Sequence, residues 1–435
     1  MMKKRPRTSD EGFFPPTQLY LLFVLPLLAI SSISCHSTSK AQPTGASATP
    51  LLSDGDSSAT SASDEVYIVT PGGQPQLLKA LPSFSEWAWS PDDEHTAVVT
   101  GGEGGAATIL VIAVQTGTET ARVENVNDPH NLTWSPDGEW LAWESYTGLT
   151  VDLEVIRSDG SSRRTLASSD GFTWPEHGTV LTWKDELTLL ATVWQKPNNL
   201  LFEFDVATGD KREVGLQPNS SWAEINRDAS AVLFDGIGDV PCADGSASRL
   251  WEMEISSGEL HQLMPDTCGI ISAAWSPDGS QIAYSLNGSQ EGRGIYLLDV
   301  ASHLSRRLGG SDTLLDHVSG WSQDGSTILV ARWECKAGES NSMPACANLV
   351  AVSASDGTER VIPNNVEYMV SPGGSFAVAN GEDGLQTIRL PDGEASMTMP
   401  ADPEWSIAML GWSPDSQWFA FVRSRVGVAT VSPSP

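Results

Sequence analysis

The chain has 435 residues, of which 55 are acidic and only 25 are Lys or Arg, a formal net charge of −30 at pH 7. That balance excludes a nucleic-acid partner, because neutralising a phosphate backbone requires Lys and Arg stripes that this sequence lacks; its plainer consequence is a soluble, monomeric chain. With 39 Gly, 27 Pro and no long amphipathic helical pattern, the composition is that of an all-β protein.

At the amino terminus Lys3, Lys4, Arg5 and Arg7 precede an apolar run, Leu19 to Ile30, that is too short to span a bilayer. Residues 1–34 therefore read as a signal peptide. Ser32-Ile33-Ser34-Cys35 resembles a bacterial lipobox, with Ser32 where Leu is usual, and the resemblance implies that Cys35 becomes the lipidated first residue. Cleavage after Ser39-Lys40-Ala41 is the other route, and it leaves a secreted or periplasmic chain without an anchor. Residues 35–63 are rich in Ser, Thr, Ala and Gly, cannot bury enough surface to fold, and form a flexible linker that suits a lipid tether. Loss of residues 1–34 removes four basic and two acidic side chains, so the mature charge is −32. The expected address is the cell envelope, with membrane contact only through the anchor.

From residue 64 to 432 the chain reads as one repetitive domain. EVYIVTPGGQPQLL (65–78) has strand alternation about a Pro-Gly-Gly turn, and no inner hairpin precedes it. A second phrase begins at Trp89-Ser90-Pro91-Asp92 and is fullest in NLTWSPDGEWLAWES (131–145). Pro136 presets φ, Asp137 bonds nearby backbone and Gly138 accepts the left-handed conformation, so the four residues form a turn between two strands. Further copies stand at Trp275, Trp321 and Trp412, one without Trp at Val370, and eroded ones at Trp183 and Ile225. The steps between the eight anchors are 45, 49, 42, 50, 46, 49 and 42 residues, a propeller-blade period.

A second hairpin follows most anchors, as in GIYLLDVASHLSRRLGG (294–310), so each unit supplies four strands. Such a sheet cannot bury both apolar faces alone, and radial stacking solves this with short, protected edges. The expected fold is an eight-bladed β-propeller, seven blades being the alternative count. Only one strand's worth of sequence follows the last inner hairpin, so residues 65–78 are expected to pair with the carboxy-terminal strands and close blade 8, with 426–432 adding or replacing a strand.

The WSPDGxxLA phrase followed by IYLLDV and RRL resembles the WD40-like (PD40) repeats of the TolB-type β-propellers over residues 65–432. The resemblance implies the scaffold, and sites are grafted onto scaffolds independently. The amino-terminal α/β domain of TolB is missing, so the Tol-specific partner role does not transfer.

Candidate functional residues lie in connections and at strand starts. With Cys35 set aside, Cys242, Cys268, Cys335 and Cys346 form an even set in an oxidising compartment, and Cys335–Cys346 and Cys242–Cys268 are the expected disulfides. Asp235, Asp239 and Asp244 in DGIGDVPCADG are weak Ca²⁺ candidates; no other cofactor is expected. His130 and His317 each stand four residues before an anchor, beside Asp128 and Asp316, where innermost strands meet the channel mouth. They belong to units 2 and 6, opposite each other in an eight-bladed ring, too far apart to share a metal. No G-x-S-x-G elbow occurs, and too little chain follows the last anchor for a hydrolase domain. These observations favour a module that binds an envelope protein or peptide, over a glycan-active lyase or hydrolase acting at the channel mouth.

Overall fold

The computed structural model describes residues 64–101, 106–147, 150–170, 181–195, 198–217, 223–237, 248–264, 267–286, 292–311, 313–333, 347–362, 367–381, 383–390 and 393–426. Among them the strands form eight four-stranded antiparallel sheets, the blades of a β-propeller. Blades 1 to 7 are each continuous in sequence, over 86–126, 129–170, 181–217, 223–262, 270–309, 315–362 and 367–400. Blade 8 is built from both ends of the domain, in the order Gln76–Leu81, Asp64–Val69, Phe419–Arg425, Trp405–Trp412. Glu65 to Val69 run antiparallel to Arg423 to Phe419, which is the closure expected from 65–78. Of the segment 426–432 only Val426 is described, and its N–H donates to the Glu404 carbonyl at 2.9 Å; the expected extra strand falls outside the described residues.

The repeated turn works through its serine. Ser135, Ser276, Ser322 and Ser413 Oγ donate to the carboxylate two residues on, at 2.5 to 2.7 Å. The same oxygens accept the backbone N–H five residues on, at 2.9 to 3.0 Å, which starts the next strand. In the eroded blade 4 copy Asn226 Oδ1 takes this role, accepting from the Ala231 N–H at 3.0 Å. Gly138, Gly279 and Gly325 close their turns at φ near 70°, a region open to glycine at little cost.

Blades meet through three layers of contact. The apolar core is divided among the described residues into eight clusters, each lying across one blade junction; Ala97, Val99 and Ile109 of blade 1, for example, pack on Leu141, Trp143 and Ile156 of blade 2. Toward the channel, anchor indoles staple five of the eight blades to the one before. Trp134, Trp183, Trp321 and Trp412 donate from Nε1 to the carbonyls of Ala88, Thr133, Ala274 and Met369 at 3.1 to 3.4 Å. Trp89 donates to Gly411 at 3.2 Å, so the same bond joins blade 1 to blade 8. At the periphery Gly117, Gly258 and Gly357, all at positive φ, lie where a Cβ would run into the carbonyl oxygens of Leu78, Val214 and Leu308 in the preceding blade. Arg164, Arg212 and Arg306 reach the other way, to the carbonyls of Ala207, Ile255 and Ala354 at 2.6 to 3.2 Å.

Candidate functional site at the channel mouth

Each blade starts at one face of the ring, turns at the other, and returns, so strand 1 starts and strand 2 ends share a face. The two faces differ in the chain they carry. Turns between strands 1 and 2 run four to six residues in every blade, whereas strands 2 and 3 are joined by two residues in blade 3 (196–197), ten in blade 4 (238–247) and thirteen in blade 6 (334–346). Binding residues of rigid scaffolds concentrate on such variable connections.

On that face the first strand of blade 2, Pro129–Trp134, opens with an irregularity between His130 and Thr133. Asp128 and Asn131 both have positive φ, 33° and 58°. This backbone puts His130 in a corner with Glu86 from the first strand of blade 1. Nδ1 is 3.3 Å from Glu86 Oε1 and Nε2 is 3.2 Å from Asp128 Oδ1. Tyr146, at the end of the second strand of blade 2, meets the imidazole edge-on with centroids 5.0 Å apart. Beneath it Glu144 Oε2 accepts from Asn131 Nδ2 at 2.8 Å and from the Tyr146 hydroxyl at 3.3 Å.

Exposure is graded across the corner: the side chain of Glu86 is 13 % exposed, His130 42 % and Asp128 73 %. The Glu86 contact, reinforced by Asp128, raises the His130 pKa despite partial burial. Burial raises Glu144, and burial next to Glu144 raises Tyr146, so both favour their neutral forms. The corner thus offers two carboxylates beside an aromatic ring and fits a cationic group.

Across the ring His317 lies in Leu315–Trp321, the first strand of blade 6, as its position before the anchor indicated. Burial lowers its pKa to about 4, so it is neutral at pH 7. Its neighbour Asp316 is enclosed and committed. Asp316 Oδ1 and Oδ2 accept from Arg332 Nε and Nη2 at 2.6 and 3.0 Å, and Oδ2 also accepts the Ser311 N–H at 2.9 Å. Glu359 takes the far side of the same guanidinium, Nη1 at 2.7 Å. The structure therefore makes a half-exposed corner of Asp128 and His130, and a buried ion pair of Asp316 with Arg332.

Glu224, in the short first strand of blade 4, Ala223–Ile225, was not signalled by any motif. Burial raises its pKa to about 8 while the Trp275 backbone N–H opposes the rise. Trp275 is also the one Trp anchor whose buried Nε1 has no acceptor, so the staple is missing between blades 4 and 5. Because the folded chain holds the Glu224 proton to a higher pH than the unfolded chain, stability should fall as pH rises from about 4.5 to about 8. His317 acts oppositely, with stability lost as pH falls from about 6.5 through about 4. Glu224→Gln should remove the alkaline loss, so its advantage over the parent grows from about pH 4.5 and levels off above about pH 8. Urea unfolding at both pH extremes checks this, and an unchanged alkaline slope in the variant contradicts it.

Cys268 is disulfide-bonded. Cys35, Cys242, Cys335 and Cys346 lie outside the described residues, as do Asp239 and Asp244; Asp235 stands in the second strand of blade 4, opposite Leu250. Among the described residues no three His, Cys, Asp or Glu side chains are grouped to hold a metal ion.

No family model matches the chain, and no curated protein matches it. Solved structures do. An oligogalacturonate lyase in complex with manganese is 14 % identical with a TM-score of 0.49, covering 76 % of this chain and 96 % of its own. The β-propeller domain of the Trilobed protease from Pyrococcus furiosus is 15 % identical with a TM-score of 0.47, covering 74 % and 99 %. TolB from Acinetobacter baumannii is 13 % identical with a TM-score of 0.38, covering 75 % and 79 %. At such identities nothing beyond fold is shared, and the chain is a β-propeller by its own eight four-stranded sheets.

Proposed function

We propose that this protein is an exported β-propeller that binds a peptide or protein partner at the cell envelope, held there by a lipid on Cys35 and the linker 36–63. The observation that carries the reading is the corner around His130. It stands on the face with the variable connections, and its exposed Asp128 and half-exposed His130 sit over Glu86, Glu144 and Tyr146. A Lys or Arg side chain of the partner is the chemical complement of such a corner, and the net charge of −30 favours encounter with basic partners.

A photo-crosslinking residue placed at exposed Thr147, beside the corner, should capture a partner in cells, whereas one at exposed Asp324, on the opposite face, should not. Asp128→Lys should abolish the Thr147 adduct. Equal adducts from both faces, or an adduct indifferent to Asp128→Lys, reject the site. Cys35→Ala should move the folded protein from the membrane fraction to the soluble one. An unchanged distribution rejects the anchor.

A further inference from the structure

We propose that His130 is a proton-operated tie between blades 1 and 2: as imidazolium it joins Glu86 to Asp128, and on losing its proton it lets one of them go. The argument is one of valence. A neutral imidazole has a single N–H, so it can donate to one carboxylate while its other ring nitrogen presents a lone pair. Here both nitrogens face carboxylate oxygens, Nδ1 at 3.3 Å from Glu86 and Nε2 at 3.2 Å from Asp128. Both contacts are attractive only when both nitrogens carry hydrogen. The imidazolium is the form that satisfies both carboxylates.

The groups facing the ring agree with this. Glu86 comes from the first strand of blade 1, Asp128 from the link between blades, and Glu144 and Tyr146 from the second strand of blade 2. Contact with Glu86 and the field of Asp128 hold the proton more tightly than an ordinary histidine does, and Glu144 lies close enough to feel the imidazolium. A raised folded pKa means that the tie contributes fully below the ordinary value near 6.5 and is lost as pH rises through the folded value. Deprotonation then leaves a neutral ring with one donor between two carboxylates, and Asp128, the more exposed, is the one released.

The use of the tie rests on the partner-binding reading of this corner, although its chemistry does not. Protonated, His130 fills the place of a cationic partner group and the corner is closed. Neutral, it leaves two carboxylates uncompensated and the corner open.

The test needs no ligand. Histidine ring resonances of the whole exported chain are followed by NMR from about pH 5 to about pH 9, with His130 assigned through His130→Gln. Trp134 is the reporter, since its indole N–H crosses the same junction to Ala88; Trp321, which does the same between blades 5 and 6, is the reference. The expected result is a His130 midpoint above that of ordinary histidine, a Trp134 indole signal that titrates with it, and a Trp321 signal that does not. Glu86→Gln should lower the midpoint by about one unit, tenfold in proton affinity, and uncouple Trp134. Asp128→Asn, at an exposed position, gives the same reading if Glu86→Gln fails to fold. A midpoint at or below the ordinary value, or a Trp134 signal indifferent to it, overturns the tie. Failure here leaves the partner site standing, since that is judged by crosslinking alone.

Discussion

Deleting residues 64–81 is expected to unfold the whole ring, while deleting the linker 36–63 leaves its melting temperature within a degree or two. Asp64–Val69 is an interior strand of blade 8, with Phe419–Arg425 on one side and Gln76–Leu81 on the other. Val66, Ile68, Val69, Leu78 and Leu81 are each at most 7 % exposed. At roughly 1.5 to 3 kcal/mol for each buried side chain, their loss removes about 8 to 15 kcal/mol, comparable with the entire stability of an ordinary domain. The damage also spreads. Val66 and Ile68 pack on Trp87, Val98 and Leu110 of blade 1, and Val69 packs beside Val378 and Leu385 of blade 7, so both neighbours lose a wall. Circular dichroism and thermal melting of the two truncations decide the matter. A 64–81 deletion that melts cooperatively near the full-length temperature contradicts closure through blade 8.

Arg332→Ala is expected to cost about 3 to 5 kcal/mol, the usual penalty for leaving a buried charge without its partner. Arg332 is 8 % exposed and Asp316 is 4 % exposed. Two carboxylates raise the Arg332 pKa against the effect of burial, and Arg332 in turn lowers that of Glu359. The guanidinium organises the link between blades 5 and 6, because the Gly310 N–H donates to Glu359 and the Ser311 N–H to Asp316. Removing it leaves the buried Asp316 carboxylate and the partly buried Glu359 without their cation, with only these two backbone N–H groups to offset them. Arg332→Met with Asp316→Leu should recover part of the loss, since it removes the buried carboxylate together with its cation, while the Ser311 N–H and Glu359 still lose their partners. Denaturant titration of the single and double variants checks both statements; a single-variant cost below about 1 kcal/mol contradicts the account.

The architecture was legible because the turn repeats its chemistry. Even the eroded copy at 225 was countable, since Asn226 supplies the oxygen that serine supplies elsewhere. Closure was legible because the strands at one end were too few and those at the other had no inner hairpin. The site was only half legible. His130 and Asp128 stood out by their offset from an anchor, but Glu86 lies 44 residues upstream, and its proximity depends on the lateral alignment of adjacent blades. Glu144, Arg332 and Glu224 carried a fainter signal: a charged residue inside an otherwise apolar inner strand, as in WLAWESY, TILVARW and AEI. Such a residue must be paired or neutral. Which of the two it is depends on neighbours from other strands, so the same pattern yields an ion pair at Arg332 and, at Glu224, an acid whose pKa burial raises.

The break in the ring has a mechanical consequence. Each blade is joined to the next by continuous chain, including blade 8 to blade 1 through residues 82–85, so the cut in the covalent circle lies inside a sheet. A pull on the segment before Asp64 enters the molecule along the strand that seals that cut. It loads the ladders to Phe419–Arg425 and Gln76–Leu81 together, along their length, so that their hydrogen bonds must yield in concert instead of one after another. A leash at that end would hold the ring through both ladders at once, and their failure would open the circle.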